Sequence, residues 1–424
     1  MNMLISKALI VDSRSPLHGS HNDILISDGV IREIAPNIAA PQGHDLVAMD
    51  GLMVSPGWVD VFAGYGEPGF EHKETIHSGL SAAAAGGYTD VLLTPDTRPV
   101  MADRSVIALV KEKSRGNIVS LHPLGAASKN AEGKELAEML DMHHAGARAF
   151  TDGRLPIQNS GLALKVLEYL KAFHGILIEV PADAALSKGG LMHEGTAAMA
   201  LGMPGIPDIA ETLLLHRDIE LLRYTGSRLH ITGISCRRAV EMVRAAKTEG
   251  LNITCSVTPY HLAYTDEALR TYNSLYKVTP PLRTEDDRHA LLDGLADGTI
   301  DCIASHHQPQ DHDAKAREFE YAGEGMATQE AAFALVFNGT GGRISQERLV
   351  EAMAVRPREI FGLDAAEIAV GACACLTLFS TSGSRAFSKS GGYTLGCNNP
   401  AAGLELPGRV YGIINNNKAF INNQ

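Results

Sequence analysis

Residues 55–69 read SPGWVDVFAGYGEPG, and the apolar run WVDVFA at their centre is the first of eight similar runs in the chain. The other seven are YTDVLL, IVSLHPL, ARAF, ILIEV, RLHITGI, NITCSV and DCIAS. Stretches with helical patterning separate these runs, as is typical of βα units around a parallel sheet. Eight such units predict a closed (β/α)8 barrel of the TIM type, with its functional site at the carboxyl ends of the strands.

The two ends of the chain have a different pattern from the middle. The first 54 residues contain the strand-like runs MLISKALIV, DILISDGVIREI and LVAMDGLMV, punctuated by Gly, Asp and Asn. After residue 367 strand-like runs return as CACLTLF and RVYGIINNNKAFI. We therefore expect residues 1–54 and 368–424 to form a small β-sandwich domain, and residues 55–367 to form the α/β barrel domain.

Composition narrows the class of protein. The chain has 424 residues, an apolar fraction of 45% and a formal net charge of −12. This charge argues against a general surface for nucleic acid or for anionic membranes. The N-terminal run MNMLISKALIVDS breaks too early for a secretory signal or a membrane span, so a cytoplasmic location is expected. The six Cys residues form no CxxC pair, which predicts free and mostly buried thiols.

The opening segment, with FEHKETI after it, resembles the dihydroorotase family of the amidohydrolase superfamily. In that family the segment reads Pro-Gly-x-x-Asp-x-His-x-His-x-Arg-Glu-Pro-Gly, and the residues in register here are Pro56, Gly57, Asp60, Glu67, Pro68 and Gly69. Further similar segments follow in the same order, among them LSKGGLMHEG, LGMPGIPDIAE, KVTPPLRTEDDRHALLDGLADGTIDCIAS and the tail that starts SKSGGYTLG. The resemblance covers essentially the whole chain and implies an amidohydrolase-type barrel with a β-sandwich, and a place in pyrimidine biosynthesis.

The resemblance also identifies the positions where family members bind zinc. The two His of the first strand are Phe62 and Gly64 here, the His of strand five is Val180, and the His of strand six is Gly233. The catalytic Asp of strand eight is His306. Because Phe, Gly and Val side chains offer no lone pair, we expect no metal, no zinc cofactor and no catalytic residues at these positions.

The positions that bind substrate in the family are changed as well. The Arg of the first motif is Gly66, the Asn of the second-strand motif is Asp96, and the Asn before the Pro-Pro pair is Thr279. Loss of a guanidinium and gain of a carboxylate weaken binding of an anion such as dihydroorotate. The residues left as candidates for residual ligand binding are Asp96, Asp152, Asp183, Thr279 and His306.

Strand alternation predicts the directions of the remaining His side chains on strands six and eight. Adjacent residues of a strand face opposite sides, so His306 and His307 are not expected to bind one ion together. His230 lies three residues before position 233, so alternation predicts that it faces away from that position.

We expect a dihydroorotase homologue that lacks catalysis and has a structural or regulatory role. The resemblance implies aspartate transcarbamoylase or an active dihydroorotase as the protein partner, since some bacteria use such zinc-less subunits as assembly scaffolds; a homo-oligomer is also expected. Two alternatives stay open: an active dihydroorotase or cyclic amide hydrolase with a displaced metal site, and a sensor that binds a pyrimidine-like ligand.

Overall fold

A computed structural model describes residues 1–388 and 392–422. Residues 389–391, which belong to the tail motif SKSGGYTLG, and residues 423–424 lie outside the described residues. The α-helices are α1 Ile76–Ala85, α2 Arg104–Ser114, α3 Met139–Ala145, α4 Ser160–Lys171, α5 Ala184–Ser187, α6 Thr196–Leu201, α7 Ile209–Thr225, α8 Arg237–Thr248, α9 Pro259–Ala263, α10 Glu285–Ala296, α11 His312–Lys315, α12 Ala332–Thr340, α13 Gln346–Val350 and α14 Arg356–Phe361.

The strands are β1 Met3–Ile10, β2 His21–Ser27, β3 Val30–Ala35, β4 Asp45–Val47, β5 Met53–Pro56, β6 Trp58–Ala63, β7 Tyr88–Leu93, β8 Ser120–Pro123, β9 Leu177–Glu179, β10 Met192–His193, β11 Gly205–Ile206, β12 Leu229–Thr232, β13 Ile253–Val257, β14 Cys302–Ile303, β15 Leu376–Ala386, β16 Glu405–Asn415 and β17 Lys418–Ile421. Short 3-10 turns at Lys129–Ala131, Asp266–Thr271, Ser274–Tyr276 and Gln329–Ala331, and a π-helical turn at Glu351–Val355, complete the helical structure.

The barrel follows the order of the chain. Parallel pairing joins β6 to β7 and β7 to β8, and a second parallel group runs β9, β12, β13, β14. Single bridges close the circle: Phe150 pairs with Gly125 and with Leu177, and Ala63 pairs with His307. The fourth predicted run, ARAF, is therefore present at its place in the circle as a bridge at Phe150 and not as a strand.

The two chain ends fold together, as predicted. Strands pair in the order β17, β16, β15, β5, β1, β2, β3, with β4 paired to β1, so that one hydrogen-bonded sheet contains both termini. The indole of Trp58 packs where this sheet meets the barrel, with ring centroids 5.0 Å from Phe333 and 5.4 Å from Phe379. The expected fold, an amidohydrolase-type barrel with a small β domain, is confirmed.

The described part of the chain contains no helix with both the length and the apolar character needed to cross a membrane. The six Cys residues are free; Cys236, Cys255 and Cys302 are buried, whereas Cys373 and Cys397 are exposed. The prediction of free thiols is confirmed, and the prediction that most are buried is only half right, because Cys373 and Cys397 lie outside regular strands.

Candidate functional site

Hydrogen bonds from Asp60 fix the junction between the first and last barrel strands. Its Oδ1 accepts from the backbone N–H of Ser305 at 2.9 Å, and its Oδ2 accepts from Nε2 of Gln329 at 2.8 Å. The hydroxyl of Tyr65 donates to Oε1 of the same Gln329 at 3.1 Å. This network ties the carboxyl end of the first barrel strand to the segment that follows the last one.

Phe62 and His306 fill the interior beneath the barrel mouth. Both side chains are buried, and their ring centroids lie 4.7 Å apart. Nε2 of His306 lies 2.7 Å from Oγ1 of Thr232. Burial lowers the pKa of His306 well below its ordinary value, and the charge of Arg154 acts in the same direction. His306 is therefore a neutral, packed imidazole, and an aromatic ring lies against it where the family has a ligand.

A chain of polar side chains extends from His306 across the barrel interior. Thr232 Oγ1 accepts from Ser256 Oγ at 2.7 Å, and Ser256 Oγ lies 3.1 Å from Nε2 of His230. His230 thus belongs to the same hydrogen-bond network as His306, through Ser256 and Thr232. Strand β12 ends at Thr232 and Gly233 has φ +70°, so alternation does not extend to position 233.

The ligand positions on strands five and six both lie in packed surroundings. Val180 is buried in the apolar cluster that also contains Phe62 and Ile178. A Cβ atom at Gly233 would lie 2.6 Å from Cε1 of His306, and the positive φ disfavours any side chain there. The residues that replaced the ligands have been incorporated into the packing of the barrel.

The guanidinium of Arg154 lies beside the first-strand position Gly64. A Cβ atom at Gly64 would be 3.2 Å from Nη2 of Arg154, so a larger side chain would displace this group. At Gly66 a Cβ atom would lie only 2.0 Å from the carbonyl oxygen of Phe70. The backbone of the following loop therefore occupies the place from which the family's substrate-binding Arg would project.

The structure distributes the remaining candidate residues over different surroundings. Asp152 is buried, its Oδ1 accepts from the backbone N–H of Ser128 at 2.8 Å, and its Oδ2 accepts from the Ser128 hydroxyl at 2.5 Å. Asp183 caps α5 by accepting from the backbone N–H groups of residues 185 and 186. Thr279 donates to Oε2 of Glu324 at 2.6 Å. Each of these side chains has a local structural partner.

Asp96 is the candidate that lines the open pocket at the barrel mouth, together with Arg154. Its Oδ2 lies 3.9 Å from Nη1 of Arg154. Burial raises the pKa of Asp96, and the charge of Arg154 partly opposes this shift. Thr279 lines a second pocket with Glu211 and Arg283, so the structure does not bring all candidates into one site.

The residues present do not fit a catalytic zinc site. Across residues 1–388 and 392–422 the structure brings together no group of three or more His, Cys, Asp or Glu side chains suited to a metal ion. A catalytic zinc usually has three protein ligands. The two adjacent imidazoles diverge as predicted: His307 faces Tyr65, with ring centroids 5.9 Å apart, and its Nε2 lies 3.5 Å from Oε2 of Glu74.

Sequence reasoning missed two features of the barrel. Arg154 gave no signal beyond its place in AFTDGRLP, because its position beside Gly64 depends on the path of a loop. Glu179 and Asp218 are both buried between β9 and α7, where burial raises the pKa of each, that of Asp218 to about 6. A carboxylate inside the apolar run ILIEV was the available signal for this pair.

Comparisons with known proteins identify the family to which this chain belongs. A family model described as Dihydro-orotase-like matches residues 51–239. The chain is 37% identical over 413 residues to the dihydroorotase of Syntrophus aciditrophicus, covering 97% of each chain, and 36% identical over 412 residues to that of Acetivibrio thermocellus, covering 96% of each. The chain belongs to the dihydroorotase family.

Solved structures extend the similarity beyond this family. The L-hydantoinase of Arthrobacter aurescens superposes with a TM-score of 0.85 at 22% identity, covering 99% of this chain and 96% of the hydantoinase. The D-hydantoinase of a Thermus species gives a TM-score of 0.83 at 23% identity, covering 99% and 95%. At these identities the likeness establishes a shared fold, and this dihydroorotase-family chain is built on the same barrel and β domain.

Proposed function

We propose that this protein is a member of the dihydroorotase family that serves pyrimidine biosynthesis without catalysing the dihydroorotase reaction. The observation that carries the proposal is the packed pair Phe62 and His306 at 4.7 Å, in the place of a zinc ligand and the catalytic Asp. Ring opening of a cyclic amide in this class requires a metal to activate water and a carboxylate to move its proton. Neither the donors for the metal nor the carboxylate are at the matching positions.

The proposal is tested by the metal content of the purified protein. Protein made without chelator should contain far less than one equivalent of zinc, because Phe62, Gly64, Val180 and Gly233 supply no donor. A dihydroorotase with the full ligand set, purified in parallel, is the control. One equivalent of zinc in this protein, lost together with activity when Asp152 or His306 is replaced, would support the displaced-metal alternative.

The role that we propose for the folded barrel is structural, as a subunit that assembles with aspartate transcarbamoylase or with an active dihydroorotase. Support comes from the retained architecture: the Asp60 network and the closed barrel persist although the ligand positions have changed. Co-purification from native cells followed by mass measurement should give a large complex that contains the transcarbamoylase. Isolation of this chain alone, with the transcarbamoylase assembled and active in a deletion strain, would contradict the role.

A further inference from the structure

A line of hydrogen-bonded side chains crosses the barrel from its mouth to its opposite end. Nε2 of His306 lies 2.7 Å from Oγ1 of Thr232, which accepts from Ser256 Oγ at 2.7 Å. Ser256 Oγ lies 3.1 Å from Nε2 of His230, and Nδ1 of His230 lies 2.8 Å from Oγ1 of Thr254. Every link is within hydrogen-bonding distance, so these five side chains form one continuous line, which we call the barrel relay.

The two ends of the barrel relay lie at opposite faces of the barrel. His306 follows the last strand, at the carboxyl ends where the family has its functional site. Thr254 is the second residue of β13 and lines a cavity of ≈ 290 Å³, whose lining also includes the residues that begin β12 and β13. This cavity therefore lies at the amino ends of the strands. The three members between the two ends are fully buried: Thr232, Ser256 and His230.

The direction of the central bond fixes the hydrogens of the relay. A hydroxyl has one hydrogen to donate, and a neutral imidazole has one N–H and one bare nitrogen. Because Ser256 donates to Thr232, its link to His230 requires a proton on Nε2 of that ring. Thr232 has no other acceptor among the described residues and donates to His306, whose proton is then on Nδ1. At the other end Thr254 donates to the bare Nδ1 of His230.

Neutral imidazoles allow the relay a second complete arrangement. Burial lowers the pKa of His230 to about 4 and lowers that of His306 well below its ordinary value, so both rings are uncharged at neutral pH. If every donor and acceptor is exchanged, the same links run from His306 to Thr254. A mixed arrangement would leave a buried donor without an acceptor, which is unfavourable, so the links reverse together.

We propose that the barrel relay is a two-state switch that couples the hydrogen bonding of Thr254 at the amino end of the barrel to that of His306 at its mouth. In the present arrangement Thr254 donates inward, and Nδ1 of His306 carries a proton. In the reversed arrangement Thr254 donates into the cavity, and Nδ1 of His306 is bare. A hydrogen-bond acceptor in that cavity therefore favours reversal, because only then does Thr254 offer its hydrogen to it. This coupling does not rest on the structural role proposed above.

Two-bond ¹H–¹⁵N correlation spectra of the full chain, labelled with ¹⁵N at histidine and recorded at pH 7, test the proposal, because protonated and bare ring nitrogens have distinct shifts. His230→Gln and His306→Phe identify the two signals by their loss. The wild type should show the proton of His230 on Nε2 and that of His306 on Nδ1. One tautomer per ring is expected, since the links reverse only together.

Substitutions near the mouth should reverse the tautomer of His230 from a distance. In Thr232→Val, Ser256 loses its acceptor and turns to Nε2 of His230, whose proton moves to Nδ1. In His306→Phe, Thr232 loses its acceptor and turns to Ser256, with the same result at His230. Neither substitution changes a residue that is hydrogen-bonded to His230.

Thr232→Ser keeps the hydroxyl and should retain the wild-type tautomer, as should Thr248→Val, which changes an exposed residue outside the relay. Melting temperatures establish that each variant is folded, and Thr232→Val, the smaller change in shape, serves if His306→Phe is unstable. A His230 proton on Nδ1 in the wild type, an unchanged tautomer in either folded mouth variant, or reversal in Thr232→Ser would each overturn the proposal. Turnover of dihydroorotate would contradict the non-catalytic function and leave these spectra unaffected.

Discussion

At the scale of residues, the glycines at the barrel mouth differ in what they allow. Gly64 adjoins a flexible Arg154 side chain, whereas Gly66 faces the rigid backbone of Phe70. Replacing Gly64 by His would compete with a movable group, but any side chain at Gly66 requires a shift of the loop. Reinstating the family's first-strand residues one at a time is therefore not enough to rebuild its site.

We predict that Gly66→Ala lowers the free energy of unfolding by about 1–3 kcal/mol, because the added Cβ would lie 2.0 Å from the carbonyl oxygen of Phe70. Urea denaturation measures the difference. Gly323→Ala is the matched control, since its Cβ would meet its nearest neighbour at 3.4 Å, an ordinary contact. Equal stability of the two variants would show that the loop is not held against Gly66 as described.

Glu179 and Asp218 form a second residue-scale feature. Glu179 is buried on β9, its Oε1 has no hydrogen-bond partner among the described residues, and Asp218 is paired with Arg217 at 2.5 Å. Burial is the main cause that raises the pKa of Glu179 well above 4.5, and the neighbouring Asp218 adds to it. The folded protein therefore holds a proton that the unfolded chain releases near pH 4.5.

The raised pKa of Glu179 predicts that Glu179→Gln increases the stability of the fold by an amount that depends on pH. Stability from the protonated Glu179 is fully present below pH 4.5 and is lost as the pH rises toward the higher pKa of the folded state. The Gln variant keeps the shape of the side chain without its charge. Between pH 5 and pH 8 its free energy of unfolding should therefore rise relative to that of the wild type by on the order of 1 kcal/mol. Thermal unfolding across that range is the measurement, with exposed Glu249→Gln as control; a difference that does not change with pH would refute the assignment.

At the scale of elements, the sequence predicts strands best where they are continuous apolar runs. WVDVFA and YTDVLL match β6 and β7 residue for residue. ARAF is short, and Phe150 is its one residue that pairs with both neighbours, Gly125 on one side and Leu177 on the other. The run therefore forms a bridge and not a strand. The ligand positions follow from the resemblance to the dihydroorotase family, whereas the placement of Arg154 beside Gly64 depends on a loop path that no local pattern encodes.

A buried ion pair joins β7 to α14. Asp90 Oδ2 lies 2.6 Å from Nη2 of Arg358, and Asp90 Oδ1 lies 2.9 Å from Nε2 of His122. Burial opposes ionisation of Asp90, but hydrogen bonding by His122 and the charge of Arg358 outweigh it and lower the pKa to about 2. The carboxylate is therefore charged over the whole neutral range and balances a buried guanidinium.

We predict that Asp90→Asn lowers the free energy of unfolding by about 3–5 kcal/mol, because Arg358 would be left buried without its counter-charge. The advantage of the wild type over this variant is full above pH 3.8, the ordinary pKa of Asp, and is lost as the pH falls toward 2. Denaturant titration at pH 7 gives the magnitude. Asp286→Asn, which breaks the exposed pair with Arg237, should lower the free energy of unfolding far less. Equal losses would mean that the buried pair contributes no more than a surface pair.

At the scale of the whole molecule, the proposed function requires a barrel that is stable without a bound ion. A protein that binds zinc only when folded gains stability in proportion to the occupancy of the site, so a chelator lowers its melting temperature. In this barrel the rings of Phe62 and His306 pack against each other with centroids 4.7 Å apart. We predict that EDTA leaves the melting temperature unchanged, whereas a zinc-containing dihydroorotase tested beside it loses several degrees; a comparable loss in this protein would reveal a bound metal.

The central claim is that a dihydroorotase-family barrel has been kept while its catalytic site has been filled by packing. Dihydroorotate turnover by the purified protein, with zinc supplied in excess and a metal-complete dihydroorotase as positive control, tests this claim most directly. The account predicts a rate that does not differ from the background without enzyme, in both the ring-opening and the ring-closing direction. A zinc-dependent rate that is proportional to the concentration of this protein would contradict it.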